Sequence, residues 1–302
     1  IVRALQQSAE TTMELRASLN HLNVTTPDPA AMAAFYCTTY GMTQAQAGDA
    51  IVCSGPGRVV ALPRGAANKL AYAHYTFNDT PAWLAFRDRV PGAAQIDVPA
   101  LARPASDAIA IRDPDGNVMV FSAPGAGADE ASGSRDHGGH GALGAADTGG
   151  MPQAILQHFA LRTTQPQAML AFYQTLGFVL SDEVHDPTGA VRACFLRTEH
   201  LHHSLALFGA PAAGFDHQSF ETDTWADMRV WGDRMAELRV PIVWGIGRHG
   251  PGNDVFFMVR DPDGNLAEIS AEIEVCESER PAGAWVHEER TLNLWGKAIM
   301  RD

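Results

Sequence analysis

Three residues in the second half of the chain have the types and placement needed to hold a metal ion: His158, His217 and Glu268. Glu268 follows a β-prone apolar run at 256–259 and an Asp-Pro-Asp-Gly-Asn turn at 261–265, and it sits among Leu266, Ala267 and Ile269. A strand there carries the acid inward, where an ionised carboxylate is costly unless it meets a cation or accepts hydrogen bonds. His158 and His217 each lie in alternating, strand-like segments. Two neutral imidazoles and one carboxylate leave several positions of an octahedral ion open. That donor set suits Fe(II) in facial-triad sites, and equally Mn(II), or Zn(II) with a bound water.

The elements that must position these residues recur. Residues 18–26 read as a strand ended by Pro27 and Pro29, followed by a helical pattern from Ala30 to a C-cap at Gly41. Strands are expected at 50–54, 58–63 and 70–77, a helix at 81–90, and strands near 107–112 and 117–122. The stretch 155–163 answers 18–26, with His158 matching His21, and the segment at 171–178 answers 34–42. His217 with Trp225 matches His74 with Trp83, and Arg-Asp-Pro-Asp-Gly-Asn occurs at 112–117 and 260–265. Four landmarks in one order imply an internal duplication. Each copy holds the order strand, helix, several strands twice. The expected fold class is therefore α+β: tandem βαβββ modules in two domains of two modules each. The domains are a non-catalytic N-terminal unit at 1–123 and a C-terminal metal-binding unit at 151–302. Between them, 124–150 is rich in Gly, Ala, Asp and His without apolar periodicity, a flexible linker whose His137 and His140 are solvated.

The composition narrows the function. At 302 residues and 46% hydrophobic, the chain can bury a core, and no apolar run is long enough to span a membrane. Its 22 basic and 35 acidic residues give a net charge of −13 without blocks, which argues against a nucleic-acid partner. The first 18 residues lack the pattern of a signal peptide. Four scattered cysteines without zinc-site spacing suit a reducing cytoplasm.

Both halves resemble the paired βαβββ modules of the vicinal oxygen chelate (glyoxalase-like) superfamily. The second half resembles the catalytic domain of its type I extradiol ring-cleaving dioxygenases, most closely in the segments around His158, around His217, and from Gly247 to Glu274. The resemblance implies an enzyme that inserts both atoms of O₂ into a catecholic ring and cleaves it. It implies Fe(II), less often Mn(II), held by His158, His217 and Glu268, and a homo-oligomer. It also implies two catalytic histidines. His203 would steady bound oxygen and deliver a proton, with His200 and His202 as competitors, and His249 would hydrogen-bond the substrate oxygen. Read as part of a strand, adjacent His202 and His203 should point to opposite faces, so that one alone faces the metal.

The departures from the family pattern shape the expected substrate. Met258 stands where the family usually has a tyrosine. Trp244 and Leu292 stand near positions where relatives that cleave carboxylated catechols use arginine. Ala160 replaces an asparagine found in some relatives, and Phe195 adds apolar surface. These five residues are the expected substrate-binding set, for a neutral catechol with a hydrophobic substituent. In the first half the place of Glu268 is taken by Val120, so His21 and His74 are expected to be a silent, structural pair. The C-terminal segment, with Trp285, His287, Arg290 and Trp295, is expected to form a lid. Two other readings keep the fold: a glyoxalase-type metal-dependent lyase or isomerase, and a catalytically decayed aromatic-binding protein.

Overall fold

The computed structural model describes residues 15–103, 105, 107–125 and 150–301. The lead-in to residue 14, and 126–149 of the expected linker with His137 and His140, lie outside the described residues.

The first module runs β1 (Ala17–Thr25), α1 (Pro29–Tyr40), β2 (Thr43–Ala47), β3 (Ala50–Gly55) and β4 (Arg58–Pro63). The second runs β5 (Lys69–Phe77), α2 (Thr80–Arg89), β6 (Gln95–Ile96), β7 (Ala108–Arg112) and β8 (Val118–Ser122). The second half repeats the order with β9 (Ala154–Thr163), α3 (Pro166–Leu176), β10 (Val179–His185), β11 (Val191–Arg197) and β12 (Leu205–Gly209). Its last module is β13 (Gly214–Thr222), α4 (Trp225–Glu237), β14 (Trp244–Arg248), β15 (Val255–Arg260) and β16 (Leu266–Ala271). A short strand β17 (Gly283–Val286) and a helical turn α5 (Glu289–Leu292) follow. This is the α+β architecture of four βαβββ modules that the repeat implies.

Local chemistry accounts for the boundaries. Asp28 caps α1 by accepting from the Ala31 amide at 3.1 Å, Pro29 occupies its first turn, and Gly41 ends it with φ 62. The repeated Asp-Pro-Asp-Gly-Asn segments are Asx turns. The Oδ1 atoms of Asp113 and Asp261 accept the amides of Asn117 and Asn265 at 2.8 and 2.9 Å. The motif is therefore structural in both copies.

Each half forms one sheet. The first has the order β2-β3-β4-β1-β5-β8-β7-β6 and the second β14-β15-β16-β13-β9-β12-β11-β10-β17. The paired first strands of the two modules, β1 with β5 and β9 with β13, are antiparallel and central. Helices and sheets of both halves share one apolar core that includes Tyr75, Phe121, Phe159 and Phe178. Each such aromatic contributes on the order of 1.5–3 kcal/mol by burial. Polar contacts tie the halves together: the Tyr173 hydroxyl donates to Asp113 Oδ2 at 2.9 Å, and Arg58 donates to the Ala154 carbonyl at 2.6 Å. Among the described residues no helix is long and apolar enough to cross a membrane.

Candidate metal centre

The site is built on the three central strands of the second sheet. His158 lies on β9 opposite Ser219 of β13, and Ser219 is in turn beside Glu268 of β16. Bulges between Phe215 and His217, and again between Ser219 and Phe220, shift the β9–β13 register. His158 Nε2 and His217 Nε2 are 3.2 Å apart, and Glu268 Oε2 is 3.3 Å from the first and 3.6 Å from the second. All three residues are buried. The structure brings the expected triad together.

The neighbouring polar residues set which nitrogen is free. His158 Nδ1 hydrogen-bonds to the Gln157 side-chain oxygen, and His217 Nδ1 to Asp216 Oδ1 at 2.7 Å. An oxygen acceptor on Nδ1 assigns the proton to that atom and leaves both Nε2 lone pairs facing inward. Neither carboxylate oxygen of Glu268 has a hydrogen-bond partner. Two lone pairs and an orphaned carboxylate converging within 4 Å repel one another unless a cation lies among them. The donor set fits a divalent ion with open positions. Burial raises the Glu268 pKa, but the close approach of the His158, His249 and His217 imidazoles outweighs it, so the carboxyl stays well below its usual range. Burial pushes His158 down, against the opposing pull of Glu268, keeping its ring neutral.

His203 and His249 flank the triad. The His203 ring lies 4.4 Å from that of His158 and edge-on to Phe195 at 5.1 Å. Burial, and then the neighbouring His158, His202 and His249, depress its pKa well below the ordinary value. His249 stacks on Phe256 at 3.7 Å, donates from Nδ1 to the Leu292 carbonyl at 2.6 Å, and places Nε2 3.6 Å from Glu268 Oε1. Burial would lower its pKa, but Asp254, Glu268 and the Leu292 carbonyl raise it overall.

The alternation argument for His202 and His203 fails. They lie in the bend before β12, not on a strand, and both are buried, with Nδ1 atoms 3.0 Å apart. His202 turns away toward Asp182, and His200 is exposed, so neither competes with His203 for the cleft.

The cleft in front of the triad is lined by four of the five expected substrate-binding residues: Phe195, Trp244, Met258 and Leu292. Ala160 is corrected. It packs in the apolar cluster behind them and does not line the cleft. Phe208 and Arg301 also line it, and sequence reasoning missed both. Arg301 lies over the Phe208 ring at 4.2 Å and the Trp244 ring at 5.1 Å, and it pairs with Asp216 at 2.7 Å. None of the expected lid residues, Trp285, His287, Arg290 and Trp295, lines the cleft itself. Trp295 packs edge-on to Trp225 and under Arg248. The C-terminal segment closes the cleft with Leu292 and Arg301 instead. Its attachments are the bonds from Trp244 Nε1 to the Lys297 carbonyl and from Leu294 to the Arg248 carbonyl.

Gln157, Asp216, Asp182 and Asp254 were also missed. For the first two a signal existed: a polar residue directly precedes each strand histidine, as Asn20 precedes His21. Asp254 is fully buried with both oxygens unpartnered, and burial pushes its pKa up to about 7. In the first half, His21 Nε2 meets the Tyr72 hydroxyl at 3.0 Å and His74 Nε2 meets Ser122 Oγ at 2.8 Å, beside apolar Val120. Among the described residues, the groupings able to hold an ion are the triad and the set His249, Asp254 and Glu268, both in the second half.

Residues 155–269 match the model of the Glyoxalase/Bleomycin resistance protein/Dioxygenase superfamily, a span that begins just before His158 and ends just after Glu268. The part of the chain that carries the three candidate ligands is thus similar to this superfamily. Over 293 residues it is 29% identical to metapyrocatechase 2 of Cupriavidus necator, covering 93% of this chain and 89% of that protein. Biphenyl-2,3-diol 1,2-dioxygenase 3 of Rhodococcus globerulus is 34% identical over 128 residues, 38% of this chain and 61% of that protein. The fold is shared with homoprotocatechuate 2,3-dioxygenase of Arthrobacter globiformis, at a TM-score of 0.75 and 20% identity over 97% of this chain and 92% of the other. It is shared equally with a Mn(II)-bound glyoxalase from Novosphingobium aromaticivorans, at a TM-score of 0.76 and 24% identity over 96% and 93% of the two chains.

Proposed function

We propose that this protein is an extradiol dioxygenase that opens the ring of a neutral catechol carrying an apolar substituent, using Fe(II), with Mn(II) as the alternative ion. The observation that carries the reading is the convergence of His158 Nε2, His217 Nε2 and unpartnered Glu268 Oε2 within 3.6 Å, at the floor of an aromatic cleft. The likeness over nearly the whole chain to metapyrocatechase 2 supports it.

A divalent ion bound there would supply open positions for a catecholate and for dioxygen side by side. The protein's own groups do the rest. His203, neutral and buried against His158, accepts a proton from the catechol at the ring edge facing the cleft and can then return it. His249 is fixed by the Leu292 carbonyl and the Phe256 face, so that Nε2 points toward the substrate oxygens. Phe195, Phe208, Trp244, Met258 and Leu292 exclude water and receive the apolar part of the ring. Among the described residues that line the cleft, Arg301 alone carries a fixed positive charge. Asp216 already neutralises it, which favours a neutral substituent over a carboxylate.

Anaerobic loading with Fe(II), followed by 3-methylcatechol and air, tests the proposal. A coloured ring-fission product formed with one O₂ consumed per catechol is expected. Oxygen-independent turnover of a hemithioacetal, or catechol binding without turnover, would overturn it.

A further inference from the structure

Behind His203 lies a line of buried polar groups with no place yet in the chemistry. His203 Nδ1 is 3.0 Å from His202 Nδ1, and His202 Nε2 is 3.1 Å from Asp182 Oδ2. His202 and Asp182 are 0% and 1% exposed, and His203 is 3% exposed. Asp182 on β10 also accepts from Trp285 Nε1 at 2.9 Å, from the Gly283 amide at 3.0 Å and from Arg280 at 3.0 Å.

We propose that Asp182 and His202 are positioning residues that fix the tautomer of His203, leaving its Nε2 unprotonated toward the cleft. The argument follows the protons outward from the carboxylate. Asp182, surrounded by three donors besides His202, is an acceptor at every contact it makes. The His202 Nε2 approach to Asp182 is close but not linear. A carboxylate oxygen at 3.1 Å nevertheless favours an N–H there and repels a lone pair. His202 therefore carries its proton on Nε2, and its Nδ1 is an acceptor. Two imidazole nitrogens 3.0 Å apart require one donor and one acceptor, so His203 donates from Nδ1. Its remaining nitrogen, Nε2, is then the basic one.

Without this line of groups the two tautomers of a neutral His203 would compete, and only one presents a base. The carboxylate that sets the tautomer is also the anchor of strand β17, which pairs in parallel with β10 at Asp182–Gly283. Seating of the C-terminal strap and the state of His203 thus depend on one residue.

This inference rests on the assignment of His203 as the acid–base group, but its test does not. Two-bond ¹H–¹⁵N correlation spectra of the metal-free protein report the tautomer of each histidine directly. Wild type is expected to show His203 protonated at Nδ1 and unprotonated at Nε2. In Asp182→Leu the acceptor is gone and nothing holds the His202 proton on Nε2, so His203 should populate both tautomers. His202→Phe keeps every bond between Asp182 and the strap while removing the acceptor, and His203 should then populate both tautomers. Once loaded, both variants should lose about 10- to 100-fold in kcat with KM changed less than threefold. A wild-type His203 unprotonated at Nδ1, or a His203 tautomer unmoved in both variants, would overturn the inference. Correct tautomers in a protein that fails to cleave any catechol would instead refute the proposed function.

Discussion

Met258 and Glu268 are direct partners across the antiparallel pair β15 and β16, and Met258 faces Trp244 on its other side. The residue next to the candidate ligand is therefore an apolar, unbranched side chain lining the cleft, at the place where the family pattern usually has a tyrosine. Met258→Tyr puts a larger ring with a hydroxyl into a position only 1% exposed. Overpacking should lower stability by about 1–3 kcal/mol. The ring also takes room from a substituent, so kcat/KM for 3-phenylcatechol should fall relative to that for catechol by about tenfold or more. Steady-state kinetics with the two substrates checks the ratio. An unchanged ratio would remove Met258 from the substrate wall.

Ion binding should stabilise the fold, because Glu268 and the two inward lone pairs repel one another without it. Fe(II) or Mn(II) at a hundred times its Kd should add about 2.7 kcal/mol, seen as a rise in Tm under anaerobic conditions. A chelator should reverse the rise. Glu268→Ala should abolish it, and elemental analysis should find the bound ion lost. His21→Ala should leave the count at one ion per chain, since His21 and His74 are already satisfied by Tyr72 and Ser122. Two ions per wild-type chain would contradict this.

Much of this arrangement could be read from the chain because it was written twice. The matched His21 and His158, and the paired Asp-Pro-Asp-Gly-Asn turns, placed strands and modules that propensity alone would leave ambiguous. Strand β2 escaped because its residues are all exposed and carry no apolar alternation, and β17 because a four-residue edge strand depends on Asp182, 101 residues away. The triad was legible from residue type. The orientation of its rings was not, because it depends on Gln157 and Asp216, whose roles appear only once the strands are paired. Arg301 was invisible for a similar reason. Its partners Asp216, Phe208 and Trp244 come from three separate strands. His202 and His203 misled because alternation presumes a strand, and the backbone there bends.

Asp182 gives the protein an acid-sensitive contact. Burial raises its pKa, but His202, Trp285 and Arg280 together hold it below the ordinary value. Glu274, which also binds Arg280, is the other acidic group facing it. A carboxyl with a depressed folded-state pKa contributes stability above its unfolded value, near 4, and loses it as pH falls through the folded value. Asp182→Asn should therefore be less stable than wild type at pH 7, by about 1–3 kcal/mol, with the gap closing below pH 4. Urea unfolding of the metal-free proteins between pH 3 and 7 measures both curves. A gap independent of pH would mean that the carboxylate's charge is not what anchors the strap.

Arg301 and Asp216 form a buried pair that reaches the candidate metal centre through His217. Asp216 accepts from His217 Nδ1 at 2.7 Å and from Arg301 at 2.7 and 3.2 Å, and the guanidinium rests on two aromatic faces. Burial works against ionised Asp216, but Arg301 and His217 keep it charged, with a pKa well below the usual range. Removing Arg301 leaves that charge only the longer contact to Arg162 at 3.8 Å and frees Asp216 to move, loosening its hold on the His217 ring. Arg301→Ala should thus lower stability by about 3–5 kcal/mol and weaken metal affinity by about 10- to 100-fold. Competition against a chromophoric chelator measures the affinity, and thermal unfolding of the metal-free protein measures the stability. Asp216→Asn, which still accepts from His217 through its amide oxygen, should recover much of the affinity when combined with Arg301→Ala, because the poorly paired charge is gone. Failure of the double variant to improve on Arg301→Ala would show that the arginine acts by sealing the cleft rather than through Asp216.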